Sequence, residues 1–192
     1  MLVKVGSLAN DAPLDPELHV PALKVEKSDA VCVGMLSKPS ALGDLQQNTA
    51  MHYYSTGSFN LIQLLLYILK QTGPASVFIA TYSISDRSIT TLRNHFEQGA
   101  ITDIRFLLDN RVRSISPHQF DHLVTSFPGA VRCMGLHAKV VLIYNRKWKV
   151  SVISSQNATH NPKLERGIIH TLPEVFDFDL KQMNDEFDQG TT

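Results

Sequence analysis

The sequence predicts an α/β fold, a mixed, largely parallel β-sheet sandwiched between helices. Three observations carry this. Segments of helical apolar period alternate along the chain with short apolar runs fit for strands. One such run, Val77-Phe78-Ile79-Ala80, is apolar without alternation, the pattern of a strand covered on both faces. The segments follow in the order helix, strand, helix, strand, helix and then several strands, which is the order of βαβ units. With 192 residues, one domain with a real core is expected.

In chain order, residues 1–50 read as an N-terminal arm or extension, and residues 51–192 as the α/β domain. Within the first part, Val3–Leu8 and Val31–Leu36 are short strand candidates. Pro13, Pro16, Pro21 and Pro39 interrupt the rest, and Asn10–Lys27 mixes charge and proline as a wrapping arm would. Ser58 is read as the N-cap of a helix with Phe59, Ile62, Leu65, Leu66 and Leu69 on one face, ended by Gly73-Pro74. A strand follows at Val77–Ala80, closed by the hydroxyls of Thr81-Tyr82-Ser83. Ser85-Asp86 caps the next helix, where Ile89, Leu92 and Phe96 keep helical spacing up to Gly99. Ile104–Leu108 is a second strand ending at Asp109-Asn110, and Gln119–Val124 is a helix after Pro117. Val131–Leu136 then leads into a hairpin. Pro173–Phe187 has apolar residues at helical intervals and closes the chain.

Composition narrows the function classes. Apolar residues make up 43% and charged residues 19%, as in ordinary globular chains, and the net charge is zero. No global basic field announces nucleic acid, so any polyanion site must be a local patch. Cys32 and Cys133 lack metal-type spacing and read as two reduced, buried thiols. The longest apolar run, about Leu61–Leu69, is too short to span a bilayer, and the N-terminus lacks the pattern of a signal peptide. A cytoplasmic, soluble protein without membrane insertion is expected.

The chemistry concentrates in residues 131–170. An apolar run, Val140–Ile143, follows His137-Ala138-Lys139; a second, with Trp148, Val150, Val152 and Ile153, leads to Ser154-Ser155-Gln156-Asn157. Asn145-Arg146-Lys147 between them suits a hairpin turn. His137 and Lys139 are two apart and share one face of a strand, as do Ser155 and Asn157. In an antiparallel pair, the start of one strand lies beside the end of the next. An imidazole, an ammonium, a hydroxyl and a carboxamide thus converge, a set suited to a phosphate group.

At these residues the chain resembles the phospholipase D superfamily. That signature is His-x-Lys-x4-Asp, a strand, Gly-Ser-x-Asn, and then Asn and Glu. Here it stands as His137-Ala-Lys139 with Tyr144 in place of the aspartate, Ser154-Ser155-Gln156-Asn157 with Ser154 in place of the glycine, and Asn161-Pro-Lys-Leu-Glu165. The weaker pattern upstream is compatible with one superfamily half over residues 58–172. The resemblance implies phosphodiester hydrolysis without a metal or other cofactor. His137 would attack phosphorus and form a phosphohistidine, and a second copy of the same histidine would protonate the leaving group. Lys139 and Asn157 would hold phosphoryl oxygens, Ser155 would donate a hydrogen bond, and Glu165 would orient an imidazole. The chain has one such motif and no internal repeat. A two-histidine site then requires a homodimer with the motifs facing across a two-fold axis. This resembles the single-motif bacterial endonucleases of the Nuc type, with DNA or RNA as substrate. The alternative is a catalytically weak or silent module that binds nucleic acid or another phosphate-bearing partner. Tyr144 favours the alternative, although the family's aspartate lies at the far end of the strand and is largely structural.

Weaker candidates surround this set. Thr81 and Ser83 (with Tyr82), and Asp109 and Asn110, follow central strands, where α/β proteins gather ligands, although turn-forming explains each equally well. Asn161 and Lys163 precede Glu165. Arg146, Lys147, Lys149, Lys163 and Arg166 supply either a basic groove or, for Arg146–Lys149, a solvated hairpin tip. His118 and His122 are four apart on a helix without a third metal ligand and read as surface histidines. His160 reads as loop.

Overall fold

The computed structural model describes residues 28–191. The expected strand at residues 3–8 and the proline-rich arm lie outside the described residues.

Eight strands form one mixed sheet: β1 (Asp29–Leu36), β2 (Thr49–Ser55), β3 (Ala75–Thr81), β4 (Ile101–Asp109), β5 (Val131–Met134), β6 (Val140–Tyr144), β7 (Lys149–Ser154) and β8 (Glu165–His170). Their order across the sheet is β1-β2-β8-β7-β6-β3-β4-β5. The pairs β1–β2, β3–β4 and β4–β5 are parallel; the other four are antiparallel. The parallel character thus belongs to the two flanks, and the centre is antiparallel. The cause is local. Helical crossovers allow parallel neighbours, whereas the tight Asn145–Lys147 turn forces β6 and β7 to run oppositely. Asn145 makes that turn by accepting the backbone N–H groups of Lys147 (2.9 Å) and Trp148 (3.0 Å) on its Oδ1.

Two strands change the reading of the sequence. β2 begins at Thr49, so the expected boundary at residue 50 falls inside it, and β1 joins the same sheet. β8, between β2 and β7, has no apolar signature. Its buried positions are Glu165, Gly167 and Ile169, so only one of the three inward positions holds a hydrophobic side chain.

Among the described residues five α-helices pack around the sheet: α1 (Leu61–Thr72), α2 (Asp86–Glu97), α3 (Val112–Ile115), α4 (Pro117–Ser126) and α5 (Pro173–Gln189). α1 starts two residues later than Ser58 implies. Asn60 is the cap, accepting the Gln63 backbone N–H while Gln63 reaches back, a full capping box. Ser58 instead donates its hydroxyl to the Ser37 carbonyl at 2.7 Å. Ser85 caps α2 as expected.

The core has two parts. Leu61, Leu64, Leu65 and Ile68 of α1 and Ile89 and Leu92 of α2 pack on Val77, Ile79, Val141, Ile143, Val150 and Val152 of the sheet. On the opposite face, Phe176 and Met183 of α5 pack on Phe78, Ala80, Leu107 and Leu142. Each such side chain contributes about 1.5–3 kcal/mol by leaving water. Helices therefore cover both faces of β3, β4 and β6, which explains the unbroken apolar run of β3. Towards β8 and β2 the sheet is more open: Ile153 is 37% and Tyr54 44% exposed. Cys133 is buried as expected, and burial pushes its thiol pKa up, whereas Cys32 is exposed. Among the described residues no helix is long and apolar enough to cross a membrane.

Candidate active site

The hairpin brings its chemistry to one end of the sheet. There β2, β3, β4, β5 and β7 finish and β6 and β8 begin, because β6 and β8 run against their neighbours. His137 and Lys139 stand just ahead of β6 rather than within it. The ladder nonetheless continues one step past the strand, since the Ser154 N–H donates to the Lys139 carbonyl at 3.0 Å. Lys139 Nζ donates to the His137 carbonyl at 2.8 Å and lies 3.4 Å from His137 Nδ1. Partial burial pushes the Lys139 pKa down, and the negative charge of Glu165 opposes that shift. The two groups therefore act on each other across the strand ends. The His137 ring is exposed and leans on Tyr82, with ring centroids 5.8 Å apart.

Glu165 is 6% exposed, and both of its oxygens are engaged. Oε2 accepts the Ser155 hydroxyl and Oε1 accepts the Asn161 amide at 3.2 Å. Ser155 also accepts the Arg166 N–H at 3.0 Å. Within one chain, then, the carboxylate holds Ser155 and Asn161, and no hydrogen bond joins it to the His137 imidazole. Asn157 is anchored through its main chain, whose carbonyl accepts the first N–H of α1, that of Leu61, at 3.3 Å. Its side-chain oxygen is buried and makes no hydrogen bond within the described residues.

A polar floor fixes these residues from below. The Tyr53 hydroxyl donates to Gln156 Oε1 (3.1 Å) and lies 3.3 Å from Ser154 Oγ; Gln156 in turn donates to Ser55 Oγ (3.2 Å) and to the Phe59 carbonyl (2.8 Å). Tyr53 is 1% and Gln156 2% exposed, and burial pushes the Tyr53 pKa up to about 12. Ser154, standing where the resemblance has glycine, is part of this floor. Close approach is provided elsewhere. A Cβ at Gly167 would collide with the Tyr53 ring, and one at Gly57 (φ +74) with the main chain at Asn161–Lys163. The loop carrying Asn161 is thus pressed onto the end of β2.

The weaker candidates separate. Thr81 is fully buried; its hydroxyl donates to the Ser83 carbonyl (3.0 Å) and accepts the Ala158 N–H (3.3 Å). It braces a turn and offers no donor to the surface. Ser83 Oγ pairs with Thr159 Oγ1 at 3.5 Å. Lys163 is exposed on the Asn161 loop. Tyr144 lies at the opposite end of β6, against Ser76 and Lys149, roughly 17 Å along the strand from Lys139. There its hydroxyl accepts from Arg105 (3.2 Å) and its ring packs on Phe176. Arg146–Lys149 are at that far end too, with Lys149 paired to Asp177 at 2.6 Å, so they form a hairpin tip and no basic groove. His122 and His118 face Asp86 at 2.8 and 3.4 Å and tie α4 to α2. His160 is exposed near the starts of α1 and α2.

Sequence reasoning missed Arg111. Its guanidinium pairs with Asp109 (Nε–Oδ1 2.7 Å) and covers the Tyr82 ring at 4.8 Å, on the His137 side of the sheet end. Its place just past the end of β4 was the available signal.

No family model and no curated protein matches the sequence. Solved structures do match the fold. Nuc from Salmonella typhimurium, a phospholipase D family member, superposes with a TM-score of 0.54 over 73% of this chain and 95% of its own, at 17% identity. The chain shares its fold with that phospholipase D family member. NucT from Helicobacter pylori gives a TM-score of 0.54 at 15% identity, over 74% of this chain and 98% of its own. Polyphosphate kinase from Porphyromonas gingivalis gives 0.53 at 12% identity, over 74% of this chain and 26% of its own. The phospholipase D-like fold thus accommodates the chain at nearly the full length of Nuc and NucT. β6, β7 and β8, at whose ends His137, Lys139, Ser155 and Glu165 stand, lie in the middle of this chain's sheet.

Proposed function

We propose that the protein is a metal-independent phosphodiesterase, a nuclease acting on DNA or RNA through a phosphohistidine intermediate. The observation that carries this reading is the convergence at one sheet end of an exposed imidazole, a partly desolvated ammonium and a wired Ser155–Glu165–Asn161 set. In this mechanism His137 attacks phosphorus, the P–O bond to the leaving oxygen breaks, and that oxygen takes a proton from a second imidazolium. Water then gives a proton to that second imidazole and attacks the phosphorus, and the P–N bond breaks, which restores His137. Lys139 offsets the charge growing on the phosphoryl oxygens, more strongly for standing in a partly dry setting. Asn157 donates its amide N–H to the same oxygens. Glu165 keeps Ser155 and Asn161 in place and holds a counter-charge near Lys139.

The second imidazolium comes from a second copy of the chain. One chain carries one His-x-Lys set, and its Glu165 leaves its own His137 without a carboxylate. A groove of about 760 Å³, lined by His137, Lys139, Ile153, Ser155 and Arg166, leaves the imidazole open to a partner copy and to substrate.

His137→Ala tests the reading. It abolishes hydrolysis of a diester with no change in thermal melting, and wild-type hydrolysis persists in excess chelator. Unchanged activity in the variant overturns the assignment. A second reading, a silent module that binds phosphate-bearing partners, is favoured by one contact: Lys139 Nζ is satisfied by the His137 carbonyl at 2.8 Å. That reading predicts retained binding with no hydrolysis by the wild type.

A further inference from the structure

A second hollow opens on the other side of His137. It holds about 430 Å³ and is lined by Asp109–Arg111 and Gly135–His137. His137 belongs to both this hollow and the groove beside Lys139. The two depressions therefore meet at the imidazole.

Arg111 is built to present a fixed cation there. Asp109 accepts its Nε at 2.7 Å, one Nη at 3.4 Å and its backbone N–H at 3.0 Å. The same carboxylate accepts the Leu136 N–H at 3.2 Å, which ties the chain leading to His137 to the end of β4. One side of the guanidinium lies over Tyr82, whose ring also contacts His137. The two ring distances keep guanidinium and imidazole within roughly 11 Å of each other, so both groups border the same stretch of surface. The Arg111 side chain is 59% exposed, and its second Nη makes no hydrogen bond among the described residues. A guanidinium carries five N–H donors, so donors remain for a ligand after Asp109 is served. Asn110 stands beside it with an exposed side chain, its main chain held by the Met134 carbonyl at 2.8 Å.

We propose that this hollow is a second phosphate subsite, in which Arg111 holds the phosphate next along a nucleic-acid strand from the one at His137. The inference rests on the phosphodiesterase reading and specifies its substrate: a polymer with repeating phosphates rather than an isolated diester. Arg111 supplies charge and direction without reading a base, so the subsite is indifferent to sequence. Asp109 and Tyr82 are its positioning residues.

The test is the salt dependence of binding to a labelled single-stranded DNA oligonucleotide, followed by fluorescence anisotropy in His137→Ala protein so that the probe survives. Each phosphate contact contributes about 0.7 to the slope of log affinity against log salt. Arg111→Gln lowers the slope by about that amount and weakens binding about tenfold, while Arg111→Lys keeps the slope. Asn110→Lys, at an exposed position, raises the slope by about 0.7. An unchanged slope in a folded Arg111→Gln protein overturns the subsite; if that variant does not fold, an unchanged slope in Asn110→Lys overturns it. Hydrolysis of bis-p-nitrophenyl phosphate by the wild type runs alongside. Hydrolysis without oligonucleotide binding refutes the subsite alone. Neither hydrolysis nor binding refutes the phosphodiesterase reading as well.

Discussion

Replacing Glu165 with glutamine probes the link between the fold and the chemistry. The carboxylate is nearly buried, accepts from Ser155 and Asn161, and opposes the desolvation of Lys139. A glutamine keeps one acceptor oxygen and sets an NH2 group against a donor. One hydrogen bond to a charged group is lost, worth about 1.5–3 kcal/mol. For a domain of this size that lowers the melting temperature by roughly 3–12 °C. The Lys139 pKa moves as well. It is already below the ordinary lysine value, and removing Glu165 removes the influence that raises it, so it falls further. The linkage sign follows. A lysine whose folded pKa is depressed opposes folding while charged in both states, and that opposition fades as pH rises through the folded pKa. In Glu165→Gln the fading begins at lower pH. Thermal melts and an NMR titration of the labelled Lys139 side chain measure both effects. An unchanged melting temperature with an unchanged Lys139 titration refutes the proposed coupling.

Three further outcomes are expected. Lys139→Met removes a charge that is held against its desolvation, so diester hydrolysis is lost while the melting temperature stays level or rises; a lower melting temperature would contradict this trade of stability for function. Leu65→Ala, in the fully packed face of α1, destabilises by about 2–5 kcal/mol in urea unfolding without changing the residual site chemistry of the folded fraction. Asp109→Asn narrows the acid range of stability. The Arg111 guanidinium holds the Asp109 carboxyl down to about 2, so its contribution is complete above the ordinary carboxylate range and is lost as pH falls towards 2. The stability gap between wild type and variant therefore closes across that window, and a gap independent of pH would contradict it.

Most of the architecture was legible where the local signals agree. α2 has its Ser85 cap and spacing, β3 its unbroken apolar run, and the β6–β7 hairpin its Asn145 turn. The misreadings came where a residue serves the site or the tertiary structure. β8 hides because Glu165 and Gly167 occupy two of its inward positions, one for hydrogen bonding and one for the Tyr53 ring. Ser58 resembles a cap, but its hydroxyl serves the Ser37 carbonyl, and Asn60 with Gln63 makes the better box. Among site residues, spacing brought His137, Lys139 and Ser155 to one sheet end, because two-residue periodicity and hairpin register fix their neighbours. Spacing could not show that Thr81 turns inward, or that the Arg146–Lys149 cations stand a strand's length from His137. Nor could it show Arg111, whose partner Asp109 and platform Tyr82 come from two different strand ends.

The central claim is that His137 becomes covalently phosphorylated. Wild-type protein is mixed with a diester in excess chelator, quenched, digested and analysed by mass spectrometry under conditions that preserve phosphohistidine. The account predicts an adduct on His137 that carries the phosphorus together with the diester's remaining ester group, absent from His137→Ala. Turnover of the diester with no adduct on His137, and persisting in His137→Ala, would contradict it.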